Sequence, residues 1–300
     1  MKNGKLKLIK IKSDEINIYP LKKLIEKGEK KLEKNKIKES KLKIKWIISN
    51  ILKTSIKNLS LYQDYKLSKK ENQLFNNYIK RLLNHEPVQY IIKETEFFGL
   101  DFLLDNNVLI PRIETERIVD FAIDSIKKYN YKNIIDIGTG SGIISICIAK
   151  KIDQNISILA IDSNINALKI AKKNAIKHKV NSKIKFLHFN ILKDKLKKNF
   201  DLIVSNPPYV SIKEYNQLDK DIRFFEPKSA LTDYDNGTIF YEKFSIKGLE
   251  WLNKNGSIVL ELGGQKHSIK IKKKFFKRGW KNIKLINDFN GDTRILIAQN

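Results

Sequence analysis

The spacing of apolar residues divides the chain into a helical first part and a remainder in which strands and helices alternate. Up to about residue 84, apolar side chains recur at three- and four-residue steps between charges, as on amphipathic helices. Pro20 suits a helix start, and Ser68 with Glu71 forms a capping-box pattern. The predicted helices of this small bundle are Leu21 to Lys34, Glu39 to Lys53 and Lys69 to Leu83.

The spacing of the apolar residues is no longer helical between residues 87 and 111. Val88 to Ile91 and Glu96 to Phe102 are rich in β-branched and aromatic residues, and Gly99 interrupts the second run. This pattern predicts a β-hairpin or a bulged strand pair. We interpret the segment as a connector between domains, whose aromatic side chains could also roof an active site.

From about residue 133, short apolar strands alternate with helices, which predicts a mostly parallel, doubly wound α/β sheet with helices on both faces. We therefore predict a helical domain over residues 1–84, a β-hairpin connector over 85–112 and an α/β domain over 113–300. The predicted strands are Asn133 to Ile137, Ile156 to Asp162, Ile184 to Phe189, Phe200 to Ser205, Ser257 to Leu262, Ile283 to Asp288 and Arg294 to Ala298. The predicted helices are Ile143 to Lys151, Ala167 to His178, Thr238 to Leu252 and Ile269 to Arg278.

Composition narrows the class of protein. At 300 residues with 41% hydrophobic residues, the chain can build a packed core and two domains. Its one cysteine, Cys147, excludes a disulfide framework and lies in an apolar run, which indicates a buried thiol. The basic first residues contain no continuous apolar stretch, and no run is long enough to span a bilayer. We expect a soluble, cytoplasmic protein.

The net charge of +26 has two interpretations. A nucleic-acid or ribonucleoprotein partner would explain it. Compositional drift would also explain it, and the even spread of lysines along the chain favours drift.

A glycine-rich loop follows the first predicted strand of the α/β domain. Glycines allow a tight turn and a close approach of ligand to backbone in Gly138-Thr139-Gly140-Ser141-Gly142. Position 143 is Ile143, where the dinucleotide fingerprint has its third glycine, so another adenosine ligand is favoured over a nicotinamide or flavin cofactor. The loop could also be a plain turn.

The next two strands end in residues that could complete an adenosine site. Asp162 can accept hydrogen bonds from both hydroxyls of a ribose, although a helix N-cap role is the alternative. Asn190 could bond the amino group of an adenine, with Ile191 as an apolar wall, although a surface turn would also explain this pair.

The tetrapeptide Asn206-Pro207-Pro208-Tyr209 follows the strand Phe200 to Ser205. The Asn206 side-chain oxygen and the Pro207 carbonyl are two acceptors that could hold a planar NH2 group by both hydrogens. The two prolines pre-set the backbone, and Tyr209 offers a flat face for an amide or a base. A plain turn is the alternative. The four histidines lack zinc-ligand spacing, and neither a nucleophile elbow nor a P-loop lysine occurs.

These motifs together resemble a class I S-adenosylmethionine-dependent methyltransferase that acts on a planar nitrogen. From about residue 20 to the end, the chain is similar to the release factor glutamine methyltransferase (HemK/PrmC) family. The segments that carry the similarity are Pro87-Val88-Gln89-Tyr90-Ile91, Glu96-Phe97-Phe98-Gly99-Leu100, Leu109-Ile110-Pro111-Arg112-Ile113-Glu114-Thr115-Glu116, Phe225-Glu226-Pro227 with Ala230-Leu231, Leu260-Glu261-Leu262-Gly263 with Gln265, and Gly291 with Arg294.

The resemblance implies a Rossmann-like methyltransferase domain behind a helical substrate-docking domain, with S-adenosylmethionine as the cofactor and no metal. It implies methylation of the amide nitrogen (N5) of the glutamine in the Gly-Gly-Gln motif of class 1 peptide chain release factors, in the cytoplasm, with no membrane and no need for nucleic acid. It implies that Gly138 to Gly142 hold the cofactor with Asp162 on its ribose, and that Asn206 and the Pro207 carbonyl hold the glutamine amide. We also predict cofactor-binding roles for Asn190, Ile191 and Asn206, and catalytic roles for Asn206, Pro207, Pro208 and Tyr209. Ile113 and Asn190 depart from the family pattern, which usually has Pro and Asp there, and about the first 20 residues look like an extension.

Three alternatives stay open. An adenine-N6 methyltransferase of DNA or RNA would use the same tetrapeptide and the positive charge. A ribosomal-protein glutamine methyltransferase is a second relative. A basic RNA-binding scaffold without catalysis is the third, and the intact glycine loop, Asp162 and Asn206 count against it.

Overall fold

A computed structural model describes residues 19–197, 199–288 and 290–300. Most of the predicted N-terminal extension therefore lies outside the described residues. The chain divides into two compact units, with the boundary between Lys93 and Glu94. The division at 84/85 and 112/113 stays a prediction.

The first unit is built from helices whose apolar faces meet in one core. The capping box of Ser68 with Glu71 is present, since each backbone amide donates to the other side chain. Leu32, Ile48 and Phe75 are among the buried residues of the core. The helices are α1 (Leu21–Lys34), α2 (Ser40–Leu52), α3 (Lys69–Leu83) and α4 (Val88–Ile92), with a 3-10 turn over Ile56–Tyr62.

The extended conformation suggested for Val88 to Ile91 is wrong, because these residues form α4. Pro87 precedes the turn, and Val88 and Ile91 bury their side chains in the helical core. Packing against that core outweighs the β-propensity of the sequence, which is itself mostly a preference for half-buried surfaces.

The predicted hairpin is present but shorter, with β1 (Glu94–Phe97) antiparallel to β2 (Leu100–Leu103). Both turn residues, Phe98 and Gly99, have positive φ angles of 54° and 71°. Such angles match the twist of a two-residue hairpin, and they explain the glycine. Its aromatic side chains do not roof a site, because Phe97 and Phe102 are buried in a core cluster of the second unit.

The second unit contains a seven-stranded sheet in the order β5-β4-β3-β6-β7-β9-β8. Strands β3 to β7 pair with one another in parallel, and β9 is antiparallel to β7 and β8, which confirms the predicted α/β fold class. The strands are β3 (Asn133–Ile137), β4 (Ser157–Asp162), β5 (Ile184–His188), β6 (Phe200–Ser205), β7 (Leu252–Glu261), β8 (Lys281–Asn287) and β9 (Thr293–Gln299). The helices are α5 (Glu116–Tyr129), α6 (Ile143–Lys151), α7 (Ile165–Lys177), α8 (Ile212–Tyr215), α9 (Lys220–Phe225), α10 (Lys228–Leu231), α11 (Ile239–Trp251) and α12 (Gln265–Lys277).

Alternate residues of the central strands supply the cores on the two faces of the sheet. In β3, Ile134 belongs to one buried cluster and Ile135 to the other, as the two-residue period of a strand requires. Cys147 is buried in the first cluster, which confirms the predicted buried thiol, and burial raises the pKa of this thiol to about 12. In the part of the chain that the structure describes, no helix has the length and apolarity to cross a membrane.

The strand order places the switch in winding direction between β3 and β6. The chain runs from β3 outward to β4 and β5, then returns to the other side of β3 to form β6. Loops that leave the carboxyl ends of β3 and β6 diverge at this point and open a crevice, which is where α/β sheets bind ligands.

We expect Gly248→Ala to destabilise the protein, although alanine favours helix more than glycine does. A β-carbon at Gly248 in α11 would lie 2.6 Å from the Trp280 ring, and that indole donates a hydrogen bond to the Ser245 carbonyl. The free energy of unfolding in urea should fall by about 1–3 kcal/mol because the ring must move.

Ile246→Ala on the exposed side of the same helix is the control. Equal stability of the glycine variant and wild type would contradict close packing of Trp280 on α11.

Candidate active site

A cleft opens at the carboxyl ends of β3, β4, β5 and β6. Its volume is about 310 Å³, the size of a small-molecule site. The predicted residues that line it are Gly138, Thr139, Gly140, Ser141, Asp162, Asn190, Ile191, Asn206, Pro207 and Pro208. Gly142 and Tyr209 are not among the lining residues.

The glycines of the loop after β3 have two different structural roles. Gly138 and Gly140 have φ angles of 75° and 56°, and a β-carbon on either would meet no atom within 4 Å, so both face open space. Gly142 precedes α6, and a β-carbon there would lie 2.9 Å from the Ile146 side chain. The first two glycines allow a ligand to approach, whereas the third allows helix packing.

Asp136 in β3 accepts hydrogen bonds that fix the glycine loop, a role that was not predicted from the sequence. Thr139 Oγ1 and Ser145 Oγ donate to its Oδ2 over 2.7 Å and 2.5 Å. The carboxylate is fully buried, and burial raises its pKa to about 6 while the two hydroxyls oppose that shift. The signal for this role in the sequence was the position of Asp136 next to the end of a buried strand.

Asp162 at the end of β4 connects the glycine loop to the next helix. Its Oδ2 accepts from the Gly140 amide (2.9 Å), and its Oδ1 accepts from the Asn164 amide (2.8 Å). The N-cap of α7 is Asn164. Burial raises the pKa of Asp162, and these backbone donors lower it. Each carboxylate oxygen retains acceptor capacity, which suits a ribose.

Asn190 and Ile191 follow β5. Asn190 Oδ1 accepts from the Leu192 amide over 3.0 Å, so part of its acceptor capacity is used in the turn. Ile191 is buried and belongs to the second core cluster. Ile191 also lines the cleft, and its role as an apolar wall for an adenine stays a prediction, as does a bond from Asn190 to that base.

Asn206 after β6 is held by a chain of hydrogen bonds. Its Nδ2 donates to Thr115 Oγ1 over 3.1 Å, and Thr115 Oγ1 donates to Glu261 Oε2 over 2.7 Å. An amide held through its nitrogen presents Oδ1 on its opposite edge, where it can accept.

Tyr209 follows the two prolines but is not among the residues that line the cleft. Its hydroxyl donates to Glu261 Oε1 over 3.4 Å, and the residue lines a second cavity together with His267 and Gly263. Its role as a flat face for an amide therefore stays a prediction.

Two further carboxylates near the cleft were not assigned roles from the sequence. Burial raises the pKa of Glu261 to about 7, and the Thr115 hydroxyl opposes that shift. Glu226 accepts from Arg112 at 2.5 Å and from the Ile110 amide at 3.2 Å. Burial raises the Glu226 pKa, and Arg112, which lines the cleft, opposes it. Ile113, a departure from the family pattern, is 75% exposed and lines no part of the cleft.

Comparison with known proteins agrees with this geometry. Residues 118–230 match the family model "Methyltransferase small domain", and residues 23–92 match "PrmC N-terminal domain". A release factor glutamine methyltransferase of Fusobacterium nucleatum is 34% identical over 89% of this chain and 75% of its own length. One from Clostridium botulinum is 33% identical over 93% and 99%. The chain belongs to the release factor glutamine methyltransferase family.

Membership of this family confirms the resemblance, the methyltransferase activity and S-adenosylmethionine as the methyl donor. The hMettl16 catalytic domain has the same fold, with a TM-score of 0.53 and 15% identity over 77% of this chain and 82% of that domain. Among the described residues, no cluster of His, Cys, Asp and Glu could hold a metal ion.

We expect Asp136→Asn to change how the stability of this methyltransferase depends on pH. The pKa of Asp136 rises from 3.8 to about 6 on folding, so the folded state retains a proton that the unfolded chain releases. Wild type should lose about 3 kcal/mol of unfolding free energy from this group as pH rises from about 4 to about 7, and the variant should not.

Asp201→Asn is the matched control, because backbone and side-chain donors lower the pKa of Asp201. Its loss should therefore cost stability above about pH 4 and have the opposite sign. Parallel pH profiles for wild type and Asp136→Asn in urea titrations would contradict a raised pKa of the buried Asp136.

Proposed function

We propose that this enzyme transfers the methyl group of S-adenosylmethionine to the side-chain amide nitrogen of the glutamine in the Gly-Gly-Gln motif of class 1 peptide chain release factors. The single observation that carries the proposal is Asn206, whose amide nitrogen is held by Thr115 at the edge of the cleft. The names of the relatives from Fusobacterium nucleatum and Clostridium botulinum support the release factor as substrate.

The cleft residues after β3, β4 and β5 would hold the cofactor. Gly138 and Gly140 leave space above the loop, Asp162 would accept from the ribose hydroxyls, and Ile191 would pack on the adenine. Asn190 would contact the base amino group. When bound, S-adenosylmethionine supplies a methyl group on a positively charged sulfur that leaves as a neutral thioether.

Asn206 and Pro207 would hold the substrate amide. Its nitrogen is a poor nucleophile because its lone pair is delocalised into the carbonyl. Asn206 Oδ1 and the Pro207 carbonyl would accept one hydrogen bond each from the two N–H groups of the substrate amide. These two bonds would stabilise the positive charge that develops on the nitrogen as the methyl group arrives. The prolines at 207 and 208 restrict the backbone, so the acceptors are placed before the substrate binds. The methylated nitrogen then loses a proton to water.

The predicted N-terminal domain, residues 1–84, would dock the substrate protein. Residues 85–112 would connect the two domains, and residues 113–300 would transfer the methyl group. We infer that the enzyme works in the cytoplasm, where release factors act, and that it needs no nucleic acid. In this proposal the net positive charge of the chain reflects compositional drift and not a nucleic-acid partner. The relatives' names favour the release factor over a ribosomal protein or an adenine base.

We expect Asn206→Ala to abolish measurable turnover and leave cofactor affinity within a few-fold of wild type. Loss of one acceptor in the transition state should reduce kcat by at least ~10²-fold. Purified variants would be incubated with labelled S-adenosylmethionine and a release factor, and peptide mass spectrometry would locate the methyl group. Calorimetry would give cofactor affinity.

The controls are a release factor whose motif reads Gly-Gly-Glu, a ribosomal-protein mixture and duplex DNA. Label on the motif glutamine alone is the expected result. Label on adenine or on a ribosomal protein alone would overturn the proposed substrate, and normal turnover by Asn206→Ala would overturn the role of Asn206.

A further inference from the structure

Three segments of the chain meet in a buried hydrogen-bond network beside the cleft, and Thr115 and Asn206 of this network also line the cleft. Thr115 lies just before α5, Glu261 ends β7, and Asn206 and Tyr209 follow β6. Thr115 is fully buried and Glu261 is 1% exposed, so water does not compete for their polar atoms. The network runs from Asn206 Nδ2 to Thr115 Oγ1, then from Thr115 Oγ1 to Glu261 Oε2, with the Tyr209 hydroxyl on Glu261 Oε1.

The direction of these bonds follows from the chemistry of the groups. An ionised carboxylate can only accept, so Thr115 must use its single hydroxyl proton on Glu261. The Thr115 oxygen then has only lone pairs left for Asn206, and it selects the NH2 end of that amide. The Tyr209 hydroxyl, which donates to the second carboxylate oxygen, holds Glu261 in place.

The amide of an asparagine has two ends of nearly equal size and opposite hydrogen-bonding character. If the side-chain amide of Asn206 rotated by half a turn, its NH2 group would face the NH2 group of the substrate amide, and both groups are donors. One acceptor would be lost without any change in the shape of the cleft. The orientation of Asn206 therefore needs a determinant beyond its own backbone.

We propose that Thr115 and Glu261 are positioning residues that fix the amide of Asn206 with its oxygen toward the substrate. This inference rests on the proposed function of Asn206. Glu261 does not line the cleft, and Thr115, which does, would act through Asn206 rather than on the substrate itself. Tyr209 contributes by bonding Glu261.

Two substitutions of Thr115 separate orientation from packing. Thr115→Val keeps the shape of the side chain and removes the hydroxyl, whereas Thr115→Ser keeps the hydroxyl and removes a methyl group. We expect Thr115→Val to lower kcat by ~10- to 100-fold, as one misdirected transition-state acceptor would. KM for the release factor and Kd for S-adenosylmethionine should stay within about 3-fold of wild type, and Thr115→Ser should restore most of kcat.

Substitutions of Glu261 allow a second test, which distinguishes the need for an acceptor of the Thr115 hydrogen bond from the need for a negative charge. Glu261→Gln retains an acceptor for the Thr115 hydroxyl, so its kcat should remain within about 3-fold of wild type. Glu261→Leu removes the acceptor and should behave like Thr115→Val. Assays at about pH 8.5 keep Glu261 ionised, since its pKa is about 7.

A readout without substrate keeps this inference separate from the proposed function. In 15N-labelled wild type, the side-chain NH2 of Asn206, assigned by comparison with Asn206→Ala, should exchange slowly with solvent. Exchange should become at least ~10-fold faster in Thr115→Val but not in Thr115→Ser. A wild type that fails to methylate release factors would refute the proposed function, and the exchange measurement would still test the orientation of Asn206.

Wild-type kcat in Thr115→Val would overturn the inference. An equal loss of kcat in Thr115→Ser and Thr115→Val, both with normal folding and cofactor affinity, would also overturn it. So would unchanged exchange of the Asn206 amide in Thr115→Val.

Discussion

The parallel pairing of β3 with β6 is the constraint on which the rest of the site depends. Ile134 pairs with Leu202 and Asp136 with Val204, so the two strands end side by side. Ser205 Oγ at the end of β6 also donates to the Ile137 carbonyl at the end of β3, over 2.6 Å. This pairing brings the glycine loop and the Asn206 tetrapeptide to one cleft, although the 63 residues from 143 to 205 separate them along the chain.

Buried carboxylates fix the loops that this pairing brings together. Asp136 lies beneath the glycine loop, Glu226 holds the segment around Arg112, and Glu261 receives Thr115. A buried carboxylate is costly unless donors surround it. The side-chain donors of Asp136 lie within 9 residues of it, whereas those of Glu226 and Glu261 lie 52 to 146 residues away along the chain. Glu226 and Glu261 therefore tie distant segments together, and the pKa of each of the three acids is raised because burial outweighs the donors.

The same arrangement explains why the cleft can be preorganised. Asn206 is held through its nitrogen and Asp162 through both oxygens, while Gly138 and Gly140 both face open space. Groups that are already fixed lose little freedom when a ligand binds, so more of the binding free energy remains for alignment of the reacting atoms.

Local patterns in the sequence determined the elements and most of the cleft. The helix Leu21–Lys34, the strand Phe200–Ser205 and the capping box at Ser68 follow from short-range periodicity and from local hydrogen bonds, and they form as predicted. The parallel alternation placed Asp162 and Asn206 at one edge of the sheet, because parallel strands end on the same side. Tertiary structure alone decided the helical conformation of Val88–Ile92, the burial of Phe102 and the partners of Asn206 and Tyr209. These outcomes depend on side chains distant in sequence, such as Thr115 and Glu261, whose proximity exists only after the sheet has formed.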